Sequence, residues 1–248
     1  MLKLSWTLLY LLIIGCLQAE NRPPVGWWKF DEKNGTVLAD SSGSGNTAHI
    51  VPGNGLERVP GRNGGALKFS SPATPEAGKS RAGFVLLPGI MSKYDFQTKG
   101  FTFEAWILPE DKYISQKRYE IASSFTKDKG PGFTFFIALQ SLSFLSGEGG
   151  AGKTWGAVSG REKTDLSLRR WHHIAAVYGN GVYRIYQDGL MIGESEDSLL
   201  LTNGRSDIFI GTFCAGYYPF SGIIDDIKIY DYPRTAKNIM EAAYLENQ

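Results

Sequence analysis

A chain of 248 residues with 26 Lys and Arg against 25 Asp and Glu carries a formal net charge of +1, which shows no electrostatic footprint for nucleic acid or an anionic membrane; neither is expected as a partner. Thirty glycines, 13% aromatic residues and few long runs of helical period argue for many short strands rather than a helical bundle. There are two cysteines, and one of them, Cys16, lies in an N-terminal apolar run, so Cys214 is left without an internal disulfide partner.

That first stretch, Met1–Ala19, has Lys3 near its start and an apolar run from Leu4 to Leu17 that is short for a bilayer span, the pattern of an export signal. Two processing routes fit it: cleavage after Ala19, or lipidation of Cys16, whose context Ile13-Ile14-Gly15-Cys16 resembles a bacterial lipoprotein box. The expectation is export, either secreted or anchored in the cell envelope. Residues 25–248 are expected to form one domain, since β folds of this size commonly stay single.

After a polar lead, Val25–Phe30 reads as a strand ended by Asp31-Glu32-Lys33-Asn34-Gly35, and Asp40–Asn46 as a loop of small, oxygen-rich residues. Ala66–Phe69 and Gly83–Leu87 are further strands, separated by the turn-rich Ser70–Arg81. Phe101–Ile107 alternates, with Phe101, Phe103, Ala105 and Ile107 on one side. Strands recur at Glu120–Phe125, Phe133–Gln140 and Ser143–Leu145, and later at Ile208–Phe213 and Ile223–Tyr230. Near the end Thr235 can cap a short helix with a stripe of Ile239, Ala242, Ala243 and Leu245 or Tyr244. This pattern predicts an all-β, two-sheet antiparallel sandwich with a short C-terminal helix.

Between those strands, Trp171–Ser195 reads as three strands joined by turns at Gly179-Asn180-Gly181 and Asp188-Gly189, residues that accept positive φ. If Tyr178 pairs with Val182 and Gln187 with Leu190, one face holds Trp171, His173, Ala175, Val177, Tyr183, Ile185, Leu190 and Ile192 and is read as core. The other then holds His172, Ile174, Ala176, Tyr178, Val182, Arg184, Tyr186 and Met191, a mixture of aromatic and cationic groups read as groove or surface. The expected core includes Trp106, Val177, Ile185, Ile192, Ile210 and Ile227.

Seven segments carry a resemblance: Gly26–Glu32, Asp40–Gly43, Gly64–Phe69, Phe101–Trp106, Trp171–Ala175, Asp188-Gly189 and Phe220–Tyr230. In this order and spacing they resemble the laminin-G-like jelly rolls of the concanavalin A-like lectin and glucanase superfamily, from Val25 to Tyr244. The resemblance implies a jelly roll of two packed sheets, extracellular placement, and binding rather than catalysis. It implies no particular ligand.

Several motifs invite sharper readings. Gly147–Thr154 satisfies the phosphate-loop pattern, including Lys153, but such a loop must leave a strand and open a helix, and Trp155–Gly160 is a poor helix; no nucleotide is expected. Hard cations take several oxygens, and Asp31, Asp40, Asn46, Asp225 and Asp226 cluster in turns. The resemblance implies that the first and last strands are neighbours, which would bring Asp40 and Asn46 near Asp225 or Asp226 as a structural calcium site. Asp40-Ser41-Ser42-Gly43 reads equally as a hydrogen-bonded turn.

His172 and His173 are adjacent in a strand and point to opposite faces, so they cannot share an ion, and His49 bears no spacing to them. No G-x-S-x-G elbow appears. A glycoside hydrolase of the resembled superfamily would place acids alternately on one strand as E-x-D-x-x-E, which the chain lacks; Glu194-Ser195-Glu196-Asp197 reads as a solvated turn. For sugar binding, Tyr178, Arg184 and Tyr186 with His172 offer an aromatic and cationic platform on the meander, with Tyr217 and Tyr218 as a rim, unless a long loop covers it. The expected function is non-catalytic recognition of carbohydrate or a glycosylated surface; the alternatives are a protein–protein adhesion or structural domain, and a glycoside hydrolase.

Overall fold

The structure, a computed structural model, describes residues 22–70, 82–110, 118–125, 132–147, 155–160, 166, 169–196, 207–214 and 216–245. The proposed export signal and residues 148–154 of the glycine-rich run lie outside the described residues.

In chain order the strands begin with β1 (Gly26–Trp28), β2 (Val37–Leu38), β3 (Ala48–Val51), β4 (Leu56–Pro60), β5 (Gly65–Phe69) and β6 (Phe84–Leu87). Two single-turn helices follow, α1 (Ile90–Lys93) and α2 (Phe96–Lys99), then β7 (Phe101–Pro109), β8 (Arg118–Ser123), β9 (Gly132–Ala138), β10 (Ser141–Gly147) and β11 (Trp155–Ser159). The meander supplies β12 (His172–Gly179), β13 (Val182–Gln187) and β14 (Leu190–Glu196). β15 (Ile208–Ile210), β16 (Gly222–Tyr230) and helix α3 (Ala236–Leu245) complete the chain.

These strands form two eight-stranded antiparallel sheets. Sheet I runs β14-β13-β12-β7-β16-β5-β4 with β1 also on β16; sheet II runs β11-β10-β9-β8-β15-β6-β3-β2. The sequence pattern explains how they pack. Alternation in β7 turns Phe101, Phe103, Ala105 and Ile107 inward, where Phe101 meets Phe133 at 5.0 Å between ring centroids and Phe103 meets Phe135 edge-on at 6.0 Å. The expected jelly-roll sandwich with its terminal helix is therefore present. Ser and Thr chemistry sets the helix start as expected, with the Asn238 amide donating to Thr235 Oγ1 at 3.2 Å.

The meander departs from expectation at its first turn. Gly179 pairs with Val182 and Tyr178 with Tyr183, so the connection is the two-residue turn Asn180-Gly181, with φ of 53° and 76°. Such a turn matches the twist of its strands, and the slip of one residue exchanges the faces of β12. Ile174, Ala176 and Tyr178 thus point into the sandwich with Tyr183 and Ile185, while Ala175, Val177 and Tyr186 point outward. Of the expected core, Ile185, Ile210 and Ile227 lie inside and Ile192 packs against it; Val177 is buried beneath α3 and Trp106 on the outer side of sheet I, against His173. Leu190 of the presumed core face is exposed.

Candidate functional site

The predicted sugar platform is divided by this register. Tyr178 lies inside the sandwich, 4.8 Å from the Tyr183 ring. His172 is buried and bonds the next turn, its Nδ1 being 2.8 Å from Asp188 Oδ2. Arg184 and Tyr186 do share the outer face of sheet I, but Arg184 Nε donates to Glu194 at 2.6 Å and Tyr186 is covered by α3 through Ile239. Among the described residues the cover is the terminal helix.

The four predicted metal ligands form two separate pairs. Asp40 Oδ1 accepts from the amides of Trp27 (3.0 Å) and Ser42 (2.8 Å), and Oδ2 from that of Asn46 (2.8 Å), so the hydrogen-bonded turn is what forms. Asn46 Oδ1 accepts from Lys93 Nζ at 2.7 Å. Asp225 receives the Arg62 and Asp226 amides at 2.8 and 2.7 Å, and Asp226 accepts from Trp27 Nε1 at 2.9 Å. Oxygens already aimed at N–H donors present a poor cage for a cation, and among the described residues no group of three or more His, Cys, Asp or Glu is placed to hold one. These residues do not fit a calcium ion.

A different group emerges on the outer face of sheet II. β8 carries Arg118 and Glu120 outward between the inward Tyr119 and Ile121, and β9 sets Phe136 directly opposite Glu120. Arg118 stacks its guanidinium 3.8 Å from the Phe136 ring centroid, with Phe213 at 5.1 Å and Tyr218 at 5.6 Å. Its Nε donates to Glu120 Oε2 at 2.9 Å, and Thr134 Oγ1 bonds both Glu120 Oε1 and Arg118 Nη2. The row continues across the sheet, Glu120 facing Phe136, Phe136 facing Ser143, and Ser143 facing Ser159, whose hydroxyl lies 2.8 Å from that of Ser143.

The wall of this group is a tightly fixed turn. Gly211 donates to Ile121 O at 2.8 Å and Glu120 donates to Tyr218 O at 2.9 Å, lashing the turn to β8. Within it Phe213 and Tyr217 exchange both backbone bonds, and Thr212 Oγ1 accepts from Gly216 and donates to Tyr217 O. Cys214 and Tyr218 both sit at φ of 48°, a left-handed conformation that costs a non-glycine residue roughly 1–2 kcal/mol. The result holds Tyr217 and Tyr218 at the surface, 38% and 53% exposed, on the face opposite the meander platform they were expected to border.

Electrostatically the centre is a pair. Burial pushes the Glu120 carboxyl up to about 7, against the opposing charge of Arg118 and the hydrogen bonds from Thr134 and Arg118. Glu120 is the carboxylate bonded in this cluster, and no second acid joins it among the hydrogen bonds and ion pairs of the described residues. The arrangement therefore presents an aromatic stack, a fixed guanidinium and hydroxyls, the groups that hold a polyhydroxylated ring. Sequence reading passed over Arg118 and Glu120; two opposite charges at i and i+2 between core residues were the available signal.

Residues 82–240 match a laminin G family model described as the Concanavalin A-like lectin/glucanases superfamily. A putative neurobeachin homolog of Caenorhabditis briggsae is 27% identical over 158 residues, 61% of this chain and 6% of that protein. Among solved structures, the binding domain of botulinum neurotoxin serotype G aligns with a TM-score of 0.67 at 15% identity, over 90% of this chain and 51% of that one. A botulinum neurotoxin type C structure, reported with cell entry dependent upon interaction with two ganglioside molecules, aligns with a TM-score of 0.68 at 16% identity, over 94% and 53%. The chain thus spans about half the length of these solved chains, and the likeness at such identity is one of fold.

Proposed function

Because the chain belongs to the concanavalin A-like lectin/glucanase superfamily, as a laminin G-like member, we propose that it is a non-catalytic binding module that recognises carbohydrate or a glycosylated surface through the outer face of sheet II. One observation carries the reading: Arg118 is stacked on Phe136 and held by Glu120 beside the exposed ring of Tyr218. A preorganised guanidinium beside an aromatic wall meets a ligand with little further loss of side-chain entropy. Ganglioside interaction by the neurotoxin of like fold supports the same ligand class.

The test is a glycan array probed with wild type, Arg118→Ala and Tyr218→Ala. Binding lost in both variants with unchanged melting midpoints supports the site. Glycan binding that survives both places the site elsewhere, retention of a protein partner with no glycan bound favours adhesion, and release of reducing sugar makes the protein a hydrolase.

The proposal places the module outside the cytoplasm, on the strength of the Met1–Ala19 pattern. Mass spectrometry of the native N-terminus separates a Glu20 start, secreted, from a lipidated Cys16, anchored; a retained Met1 overturns export.

A further inference from the structure

Burial divides the charged pair of sheet II unequally. The Glu120 side chain has 0% of its surface exposed, whereas 27% of the Arg118 side chain reaches solvent. A ligand on this face therefore touches the guanidinium and feels the carboxylate only as a charge behind it. Arg118 Nε and Nη2 lie 2.9 and 2.8 Å from Glu120 Oε2, while Thr134 Oγ1 bridges Oε1 and Nη2. A proton on the carboxyl reverses one bond of this ring: Oε1–H would donate to Thr134 Oγ1, whose own hydroxyl hydrogen would turn away from Oε1, while Oε2 would continue to accept from Arg118. One geometry thus serves two charge states, a neutral pair and an uncompensated guanidinium.

Among the described residues, the other elements packed on β8 add no competing charge. β9 brings Thr134 and Phe136, β15 brings Phe209, and the turn after it brings Phe213, Cys214 and Tyr218. The titratable groups among these are the Tyr218 phenol and the Cys214 thiol, which is turned toward Phe125 O at 3.0 Å.

We propose that the site takes an acidic glycan bearing a carboxylate, and that Glu120 is a removable counter-charge, so that such a glycan is gripped more tightly below neutral pH than above it. The proposal rests on reading this face as a glycan site. A planar guanidinium whose side chain is partly exposed matches a carboxylate in shape and charge. With the Glu120 carboxyl lifted to about 7, the change of charge falls near neutrality, where a carboxylate on the ligand stays ionised.

The experiment uses the full chain on an array in which each uronic or sialic acid glycan is paired with its carboxyl-reduced counterpart, at about pH 5.5 and about pH 8, either side of the Glu120 transition. The acidic members should bind on the order of tenfold more tightly at the lower pH, and the reduced members equally at both. Glu120→Gln should remove the dependence by raising affinity at the higher pH. Should that variant misfold, carboxyl NMR of the wild type replaces it: one glutamate should titrate near neutrality, and its pKa should rise when an acidic glycan is added. Glycans bound alike with or without carboxylate, or acidic glycans bound without pH dependence, overturn this inference and leave the glycan reading standing. No glycan bound at either pH overturns the glycan reading itself.

Discussion

Arg234 grips both oxygens of Glu104 with a single nitrogen, Nη1 lying 2.5 Å from Oε1 and 2.6 Å from Oε2. The pair fastens the segment leading into α3 onto the outer face of β7, and Glu104 also lies 3.5 Å from His173 Nε2. Both partners are nearly sealed from water, so losing one strands the other. Arg234→Ala should lower the unfolding free energy by about 3–5 kcal/mol, measured by urea titration. A loss below about 1 kcal/mol, the range of surface pairs, would show that water reaches Glu104.

Acid should unfold the protein steeply. Burial pushes the carboxyls of Asp40, Glu104 and Asp188 up, yet each ends below its ordinary value: Ser42 and the amides of Asn46 and Trp27 outweigh it for Asp40, His173 and Arg234 for Glu104, and His172 for Asp188. Their folded pKa values are depressed, so the unfolded chain binds the more protons as pH falls, and their stabilisation, present above the ordinary carboxylate range, is lost through the lowered values. Glu120 and Asp225 have the opposite sign: raised by burial, and for Asp225 also by the charge of Asp226, from 4.5 and 3.8 to about 7, each contributes below its ordinary value and loses that contribution as pH rises to about 7. Scanning calorimetry across pH should show the acid limb, flattened in Asp40→Ala, and Glu120→Gln should lessen the loss toward neutral pH, leaving the part that Asp225 contributes.

Val177 and Ile239 belong to one buried cluster, with Ala175 and Tyr186, between sheet I and α3. Truncating either to alanine should cost about 1–3 kcal/mol, and the double variant should cost less than the sum by a coupling of about 0.5 kcal/mol or more. Additive losses, measured by denaturant midpoint, would mean that Val177 packs somewhere other than under the helix.

Chelation offers a fourth check. The oxygens of Asp40 are turned to backbone amides, so adding EDTA to protein purified with calcium should leave the melting midpoint unchanged. A drop of several degrees would overturn this and show that the protein holds a calcium ion.

What could be read from the residues differed strand by strand for a physical reason. β7 and β13 alternate in chemistry, so the inward Phe101, Phe103, Tyr183 and Ile185 were legible. β12 is buried on both faces, one under the opposite sheet and one under α3, and a strand buried twice has no polar phase to count from. Its parity depended wholly on the length of the turn at Asn180-Gly181. The Arg118 and Glu120 pair was hidden differently: its meaning comes from Phe136, Thr134 and Tyr218, which only pairing and a turn from a distant part of the chain bring alongside. Asp40 illustrates the converse, since its short-range turn was visible in Asp40-Ser41-Ser42-Gly43 and formed as read.

Where the chain enters and leaves the fold sets how it can be held. Arg22, ahead of β1, pairs with Asp231 at 3.1 Å and lies 4.5 Å over the Tyr232 ring, just after β16, while α3 rests on the outer side of the same sheet. Both ends of the described chain therefore sit at the back of the molecule with respect to Arg118 and Tyr218. A lipid, a linker or an immobilising tag attached at either end would hold the protein by that back, leaving the clamp facing away from its support like a sensor head on its mount.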